Sequence, residues 1–283
     1  MKYLRFVKIE HTLFSLPVVF AGTLLALRGN SLSIREFLWI VLAASMARAA
    51  GFGFNRILDA GIDVKNPRTK GREIPAGIIS VKAAWAFTAA TCLLFIFSAS
   101  RLSMLCFYLS FIPLLLFFVY PFLKRQTMWC HLGLGLAWGI APLGGWLAVS
   151  PQIRPLSNLL TVFLLSGFCA LWVAGFDIVY ALLDEEFDRE HGIHSFPAAL
   201  GSHQALRVAR VFHFTGLLFL AALVSIAYGG VLSNVLFALA ATLLAVSHFR
   251  VENEPLTPQL VNFAFFKINA TLSFLIFFMV VSF

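Results

Sequence analysis

The chain has 283 residues, of which 60% are hydrophobic and only 12% are charged, and its mean hydropathy is +0.89. A water-soluble domain typically has about 25% charged residues, so this composition excludes a soluble globular protein and predicts lipid as the main solvent. The formal net charge is +8, but the basic residues stand in short segments between apolar runs and form no nucleic-acid-binding motif, so we expect no nucleic acid as a partner.

Nine apolar runs follow one another along the chain, and each is close to the roughly 20 residues that a helix needs to cross a bilayer. They lie at about 12–28, 36–58, 83–100, 103–122, 130–149, 158–182, 209–228, 230–249 and 258–282. The pattern predicts an all-α, polytopic membrane protein with nine transmembrane helices, forming a single domain over residues 1–283.

The distribution of Lys and Arg predicts the orientation. Fourteen of these residues flank the runs on the side of the N-terminus, and four, Arg28, Arg35, Arg101 and Arg154, flank them on the other side. Cytoplasmic loops are enriched in Lys and Arg. The sequence therefore predicts a multi-pass protein of the inner (plasma) membrane with a cytoplasmic N-terminus.

A first acidic cluster follows the second run. Asn55, Asp59 and Asp63 are spaced four residues apart, which places them on one face of a helix. Arg48 lies seven residues earlier, close to two turns, and a guanidinium within an apolar span is costly without a partner. Neighbouring carboxylates repel each other, and oxygen ligands of this kind suit Mg²⁺.

A second acidic cluster ends the sixth run on the same predicted side of the membrane, with Asp177, Asp184 and Asp188 spaced by seven and four residues. Two acidic stripes that face each other predict a site for two Mg²⁺ ions with a diphosphate between them. We expect basic residues to contact the phosphate oxygens. The candidates are Lys8, Arg48, Arg68, Arg72, Lys124 and Arg125.

These segments resemble the UbiA superfamily of intramembrane prenyltransferases. The residues 55–77 are similar to its first signature, N-x-x-x-D-x-x-x-D followed by R-T-x-x-R-x-x-P-x-G, and the residues from Asp177 are similar to the second, D-x-x-Y-A-x-x-D-x-x-x-D. Tyr120, Lys124 and Arg125 match a Y-P-x-x-K-R element of the same family.

The resemblance implies nine helices around a central cavity, with two Mg²⁺ ions and a polyprenyl diphosphate between the acidic motifs. Loss of diphosphate leaves an allylic cation, which an aromatic acid attacks. Within this scheme the predicted catalytic residues are Asn55, Asp59, Asp63, Asp177, Tyr180, Asp184 and Asp188. Of these, Asn55, Asp59, Asp63, Asp184 and Asp188 are the predicted metal ligands. The predicted substrate-binding residues are Lys8, Arg48, Arg68, Arg72, Tyr120, Lys124, Arg125 and Lys267.

Two questions about function stay open at this point. The amino-acid sequence of the first motif is similar to that of enzymes that prenylate 4-hydroxybenzoate. It is also similar to that of a sister group that prenylates 1,4-dihydroxy-6-naphthoate on the route to menaquinone. A transporter also has intramembrane charges, but it has no need for two acidic stripes at metal-binding spacing on one side. Lys267, within the last run, either lines the cavity or extends to the lipid headgroups, and we favour the cavity.

Overall fold

The computed structural model describes residues 1–9, 12–27, 31–150, 156–227 and 229–283. Residues 28 and 228, where two of the predicted runs end, and Arg154, which enters the count of basic residues, lie outside the described part. Within it, the regular elements are helices throughout, with no strand.

Fifteen α-helices make up the described chain. They are α1 (Lys2–Phe6), α2 (Thr12–Leu27), α3 (Ile34–Leu58), α4 (Ala60–Asp63), α5 (Val81–Leu102), α6 (Met104–Leu109), α7 (Phe111–Leu123), α8 (Cys130–Val149), α9 (Leu156–Ala181), α10 (Glu185–Glu190), α11 (Phe196–Leu200), α12 (Ser202–Ile226), α13 (Val231–Asn253), α14 (Pro258–Asn262) and α15 (Asn269–Val281). A 3₁₀ turn (Leu182–Asp184) joins α9 to α10, and a π-helical segment (Phe263–Ile268) joins α14 to α15.

Serine side chains fix where several of these helices begin. Ser33 and Glu36 form a reciprocal capping box at the start of α3, with Ser33 N donating to Glu36 Oε2 at 3.0 Å and Glu36 N donating to Ser33 Oγ at 3.2 Å. Ser80 and Ser103 accept from backbone amides in the first turns of α5 and α6. Each hydroxyl satisfies an amide that the helix itself leaves without a partner.

Seven segments of the described chain are long and apolar enough to cross a membrane. They are Ile34–Leu58, Val81–Leu102, Met104–Leu123, Cys130–Val149, Leu159–Glu190, Ser202–Ile226 and Val231–Asn253. Two shorter apolar helical segments, Ser15–Leu27 and Asn269–Val281, lie where the first and ninth spans were predicted. The helical, multi-pass character predicted from the sequence is confirmed, whereas the count of nine stays a prediction. The helix that corresponds to the seventh predicted run, 209–228, begins earlier, at Ser202. The prediction missed these seven residues because polar side chains form the first turns of the helix.

Small residues let the central helices approach each other closely. A Cβ on Gly145 of α8 would lie 2.0 Å from the backbone oxygen of Val19 in α2, and a Cβ on Gly22 would lie 1.9 Å from that of Pro142. On the other side of α8, a Cβ on Gly135 would lie 2.2 Å from the backbone oxygen of Ala170 in α9. Close backbone contact of this kind replaces the hydrophobic driving force that is missing between helices in lipid.

The core lies where α2, α8, α9, α12, α13 and α15 meet. Trp146 and Phe168 are fully buried there, and Trp172 is nearly so. Trp172 Nε1 also donates to Asn269 Oδ1 at 2.8 Å, which ties the start of α15 to α9. Large apolar side chains such as Leu93 and Phe214 are exposed instead, as expected of a surface that faces lipid.

The close contact at Gly145 predicts a position-specific loss of stability. Gly145→Ala should lower the free energy of unfolding by about 1–3 kcal/mol, because the new methyl group meets a backbone oxygen that has no room to move. Gly144→Ala on the same helix is the matched control, since a Cβ there meets nothing within 4 Å. Thermal unfolding in detergent measures both, and equal midpoints for the two variants would contradict the packing.

Candidate functional site

The first acidic motif lies where α3 ends. Asn55 is in the last turn of α3, and its Nδ2 donates to Asp59 Oδ2 at 2.9 Å. The helix stops at Leu58, so the predicted continuous helix from Asn55 to Asp63 is interrupted at Asp59. Helical bonding nevertheless continues across the break, because Asp59 N donates to Asn55 O at 2.9 Å and Asp63 N donates to Asp59 O at 2.8 Å. The three side chains therefore keep nearly the predicted spacing.

Asp59 is the most deeply buried carboxylate of the motif, with 2% exposure. Lys124 Nζ lies 2.6 Å from its Oδ2, while its buried Oδ1 has no hydrogen-bond partner among the described residues. Burial raises the pKa of Asp59, and the nearby Lys124 ammonium opposes that rise. A buried carboxylate oxygen without a partner is costly, so this position suits a further cation.

The loop after the first motif folds back onto it. Arg72 Nη1 donates to both oxygens of Asp63, at 2.8 and 2.9 Å. Thr69 Oγ1 donates to the backbone oxygen of Asp63 at 3.2 Å, and Arg68 N donates to Asn66 Oδ1 at 2.9 Å. These bonds hold the Asn66–Arg72 turn over the end of α3.

The same loop reaches the second acidic motif, so the structure brings the two motifs together as predicted. Arg68 Nε donates to Asp184 Oδ1 at 2.8 Å, Nη2 donates to Oδ2 of the same carboxylate, and Nη1 donates to the Tyr180 hydroxyl at 2.6 Å. Asn66 Nδ2 adds a bond to Asp184 Oδ1 at 2.8 Å. Burial alone would lower the pKa of Arg68, but the hydrogen bonds and charges of Asp184 and Tyr180 together outweigh it and raise the pKa above its ordinary value.

The remaining carboxylates of the second motif have partners of their own. Ser195 Oγ donates to Asp188 Oδ2 at 2.9 Å. His131 Nδ1 lies 2.7 Å from Oδ2 of Asp177, which precedes Asp184 by seven residues and belongs to α9. The 3₁₀ turn between Asp177 and Asp184 tightens the chain there, so the stripe is not a single uninterrupted helix face.

The predicted Y-P-x-x-K-R element connects both motifs. Besides its ion pair with Asp59, Lys124 accepts through its backbone oxygen from His194 N at 2.7 Å, which lies in the loop after the second motif. Arg125 Nη2 donates to Leu58 O, the end of α3, at 2.6 Å. Tyr120 lies in the last turn of α7, four residues before Lys124.

Three predicted substrate-binding residues lie on other parts of the chain. Lys8 follows α1 with a left-handed backbone (φ 46°). Arg48 lies within α3, two turns before Asn55, and its guanidinium carbon is 4.6 Å from the centre of the Phe52 ring. Lys267 is exposed in the π-helical segment, with Nζ 6.0 Å from the Phe263 ring centre. Their contacts with substrate stay predictions.

Charge neutralisation is the common feature of this site. Three carboxylates pair with three basic side chains, Asp59 with Lys124, Asp63 with Arg72 and Asp184 with Arg68. Among the described residues, no three His, Cys, Asp or Glu side chains lie close enough to hold a metal ion by themselves. The donor set fits a cation such as Mg²⁺ that takes one or two carboxylates and completes its shell with phosphate oxygens.

Sequence reasoning missed three polar residues of the site, namely Asn66, His131 and Ser195. Asn66 precedes a proline, where Asn is common in turns, and nothing in the sequence shows that its amide reaches a residue 118 positions away. His131 is a single histidine at the start of an apolar run. Ser195 shows a local signal, because it caps α11 by accepting from Ala198 N at 3.3 Å.

Comparisons with known proteins agree with this geometry. The model of the UbiA prenyltransferase family matches residues 15–271. A structure described as the apo form of a UbiA homologue from Aeropyrum pernix K1 superimposes with a TM-score of 0.86 at 32% identity, covering 96% of this chain and 98% of that one. The structure of a UbiA homologue from Archaeoglobus fulgidus bound to GPP and Mg²⁺ shares the fold, with a TM-score of 0.74 at 21% identity over 99% of this chain and 100% of that one.

A 4-hydroxybenzoate octaprenyltransferase from Vibrio cholerae is 33% identical over 171 residues, which are 59% of this chain. The matched region spans only 57% of that relative's own length. The family model, by contrast, covers nearly the whole chain, and the Aeropyrum homologue covers 96% of it. The resemblance first seen in the two acidic motifs is thus confirmed, and the chain belongs to the UbiA prenyltransferase family.

Proposed function

We propose that this protein transfers a polyprenyl group from a polyprenyl diphosphate to the ring of 4-hydroxybenzoate, a step of quinone biosynthesis. The observation that carries the proposal is the meeting of the two acidic motifs through Arg68 and Asp184. The name of the Vibrio cholerae relative supports 4-hydroxybenzoate as the acceptor and does not favour the naphthoate. Membership of a prenyltransferase family disfavours a transporter.

The proposed site holds the diphosphate between the two motifs. Asn55, Asp59, Asp63, Asp184 and Asp188 would hold two Mg²⁺ ions, which neutralise the phosphate oxygens and stabilise the leaving diphosphate when bound. Support comes from the buried Asp59 oxygen without a partner and from the Archaeoglobus homologue, in which the same fold is bound to GPP and Mg²⁺.

In this proposal the basic side chains exchange partners when substrate arrives. Arg68, Arg72 and Lys124 now bind carboxylates. With cations bound to those carboxylates, the same side chains would be free to donate to phosphate oxygens of the donor. Tyr180 keeps Arg68 oriented through the 2.6 Å hydrogen bond to its hydroxyl.

The reaction then proceeds by ionisation and ring alkylation. The bond between the prenyl carbon and the diphosphate oxygen breaks, and its electron pair leaves with the diphosphate. The allylic cation is attacked by a ring carbon of the acceptor, a carbon–carbon bond forms, and the ring carbon loses its proton to water or to the released diphosphate. The prenyl chain and the ring lie in a central cavity among nine membrane-spanning helices, with the N-terminus and both acidic motifs on the cytoplasmic side of the inner membrane.

Arg48 is placed to bind the acceptor in this scheme. It lies two turns, or about 10–11 Å by helix rise, from Asn55 towards the middle of the bilayer, which is too far for a compact contact with phosphates at Asp59. A carboxylate of an aromatic acid is a suitable partner for a guanidinium. Tyr120 and Lys267 complete the set of proposed substrate-binding residues, together with Lys8 and Arg125.

Prenyl transfer by the purified protein tests this function. In bilayers with 4-hydroxybenzoate, a labelled polyprenyl diphosphate and Mg²⁺, we expect a prenylated ring product, and EDTA should abolish it until Mg²⁺ or Mn²⁺ is restored.

Asp59→Asn and Asp184→Asn should each lower turnover by about 100-fold or more, because each removes charge from a different motif. Glu190→Gln, at an exposed position of α10, is the control. Full activity in excess EDTA, or wild-type turnover of either aspartate variant at normal expression, would contradict the proposal.

Arg48→Leu separates the two substrates. We expect the Michaelis constant for the aromatic acid to rise about 10-fold or more, since the charged partner of its carboxylate is lost, while the constant for the prenyl diphosphate stays nearly the same. Arg101→Leu is the matched control, because Arg101 also lies near an aromatic ring, that of Trp39. Steady-state kinetics with each substrate varied in turn gives both constants. If only the constant for the donor rises, Arg48 belongs to the diphosphate site instead.

A further inference from the structure

His131 has polar contacts on two sides although it lies at the start of an apolar helix. It is the second residue of α8 and is 3% exposed. Its Nδ1 is 2.7 Å from Asp177 Oδ2 in α9, and its Nε2 is 3.4 Å from the backbone nitrogen of Phe196 at the start of α11. Its ring also stacks on that of Phe196, with the centroids 5.8 Å apart at 21°. The imidazole therefore bonds to α9 and to the start of α11 at once.

The partners determine which ring nitrogen carries the proton. The backbone amide of Phe196 can only donate, so Nε2 of His131 accepts. In the neutral ring, the proton is then on Nδ1, which donates to the Asp177 carboxylate. His131 thus holds one oxygen of Asp177, whose side chain remains 26% exposed.

The contact between His131 and Phe196 also bears on the Asp188 carboxylate, through the neighbouring residue Ser195. Ser195 Oγ accepts from Ala198 N at 3.3 Å as the cap of α11, and it donates to Asp188 Oδ2 at 2.9 Å. A contact that fixes the start of α11 therefore also fixes the Ser195 hydroxyl, which orients Asp188. His131 fixes Asp177 directly and Asp188 indirectly.

We propose that His131 is a positioning residue of the transferase site, which holds Asp177 and, through the start of α11, Asp188, so that two of the three carboxylates of the second motif are set by α8. The proposal rests on the proposed function and adds a residue outside the acidic motifs. A supporting partner of this kind typically changes activity by about 10- to 100-fold when it is removed. The bond to Asp177, rather than the volume of the ring, is the contact that matters.

Three substitutions of His131 separate these contributions. His131→Leu removes both polar contacts and should lower kcat about 10- to 100-fold. His131→Asn places an amide nitrogen near the position of Nδ1, so it should donate to Asp177 and recover most of that loss. His131→Gln places its amide near Nε2 and should not recover it. His203→Leu, at an exposed position of α12, is the control and should match the wild type.

A double-mutant cycle with Asp177→Asn shows whether the effect passes through that carboxylate. We expect His131→Leu to have little further effect on kcat in the Asp177→Asn background, because the partner it orients is already altered. Equal losses in the Asn, Gln and Leu variants, or fully additive losses in the cycle, would overturn the proposal.

Thermal unfolding of the four proteins of the cycle, which are the wild type, His131→Leu, Asp177→Asn and the double mutant, tests the contact independently of catalytic activity. If the wild type transfers no prenyl group, the proposed function fails, whereas the His131–Asp177 coupling is still measured in the unfolding midpoints. Coupled midpoints support the contact, and additive midpoints overturn it. Equal midpoints of His131→Asn and His131→Gln, together with the kcat pattern above, distinguish positioning from a general packing role.

Discussion

The charge balance at the ends of α3 and α9 is the constraint on which the rest of the site depends. Carboxylates held near a membrane surface and out of water are stable only when a positive group neutralises them. Three basic side chains from two separate segments do this, with Arg68 and Arg72 from one loop and Lys124 from the end of α7. The bond between Arg68 and Asp184 joins residues 116 positions apart. The same pairs that neutralise the acids therefore also assemble the loops.

The helices beneath these loops must be fixed for such pairs to form. Glycines at the contacts of α8 with α2 and α9 bring backbones together where lipid provides no hydrophobic drive. Polar bonds inside the bundle add to this register. His213 lies 2.8 Å from His248 and 3.1 Å from the backbone oxygen of Trp172, and Gly175 leaves the space that the His213 ring occupies. α9, which carries Asp177 and leads into the rest of the second acidic motif, is therefore held on several sides at once.

The sequence predicts the helices well because a membrane span is mainly a matter of length and apolar composition. The run at 130–149 agrees with α8 to the residue, whereas the run at 209–228 misses the polar first turns of α12, since hydropathy does not register them. The meeting of the Asp59 and Asp184 motifs follows from their shared side of the membrane. The sequence does not predict which side chain binds each aspartate. Pairs such as Asn66 with Asp184 and His131 with Asp177 depend on how the loops fold and how the helices are rotated. A single Asn or His in a sequence shows no sign of such a distant partner.

The pairing of charges also bears on why this site would need metal. Five carboxylates, those of Asp59, Asp63, Asp177, Asp184 and Asp188, lie around a place proposed for a diphosphate, which is itself strongly anionic. The three basic side chains that contact them are already engaged in ion pairs. If the diphosphate took those side chains for itself, the carboxylates would be left buried without a counter-charge, and a buried charge that loses its partner costs several kcal/mol. Divalent cations remove the conflict, because they bind carboxylate and phosphate oxygens together. In the proposed function, donor binding and metal binding would then be coupled, because the basic side chains would be available to the phosphates only where cations replaced them.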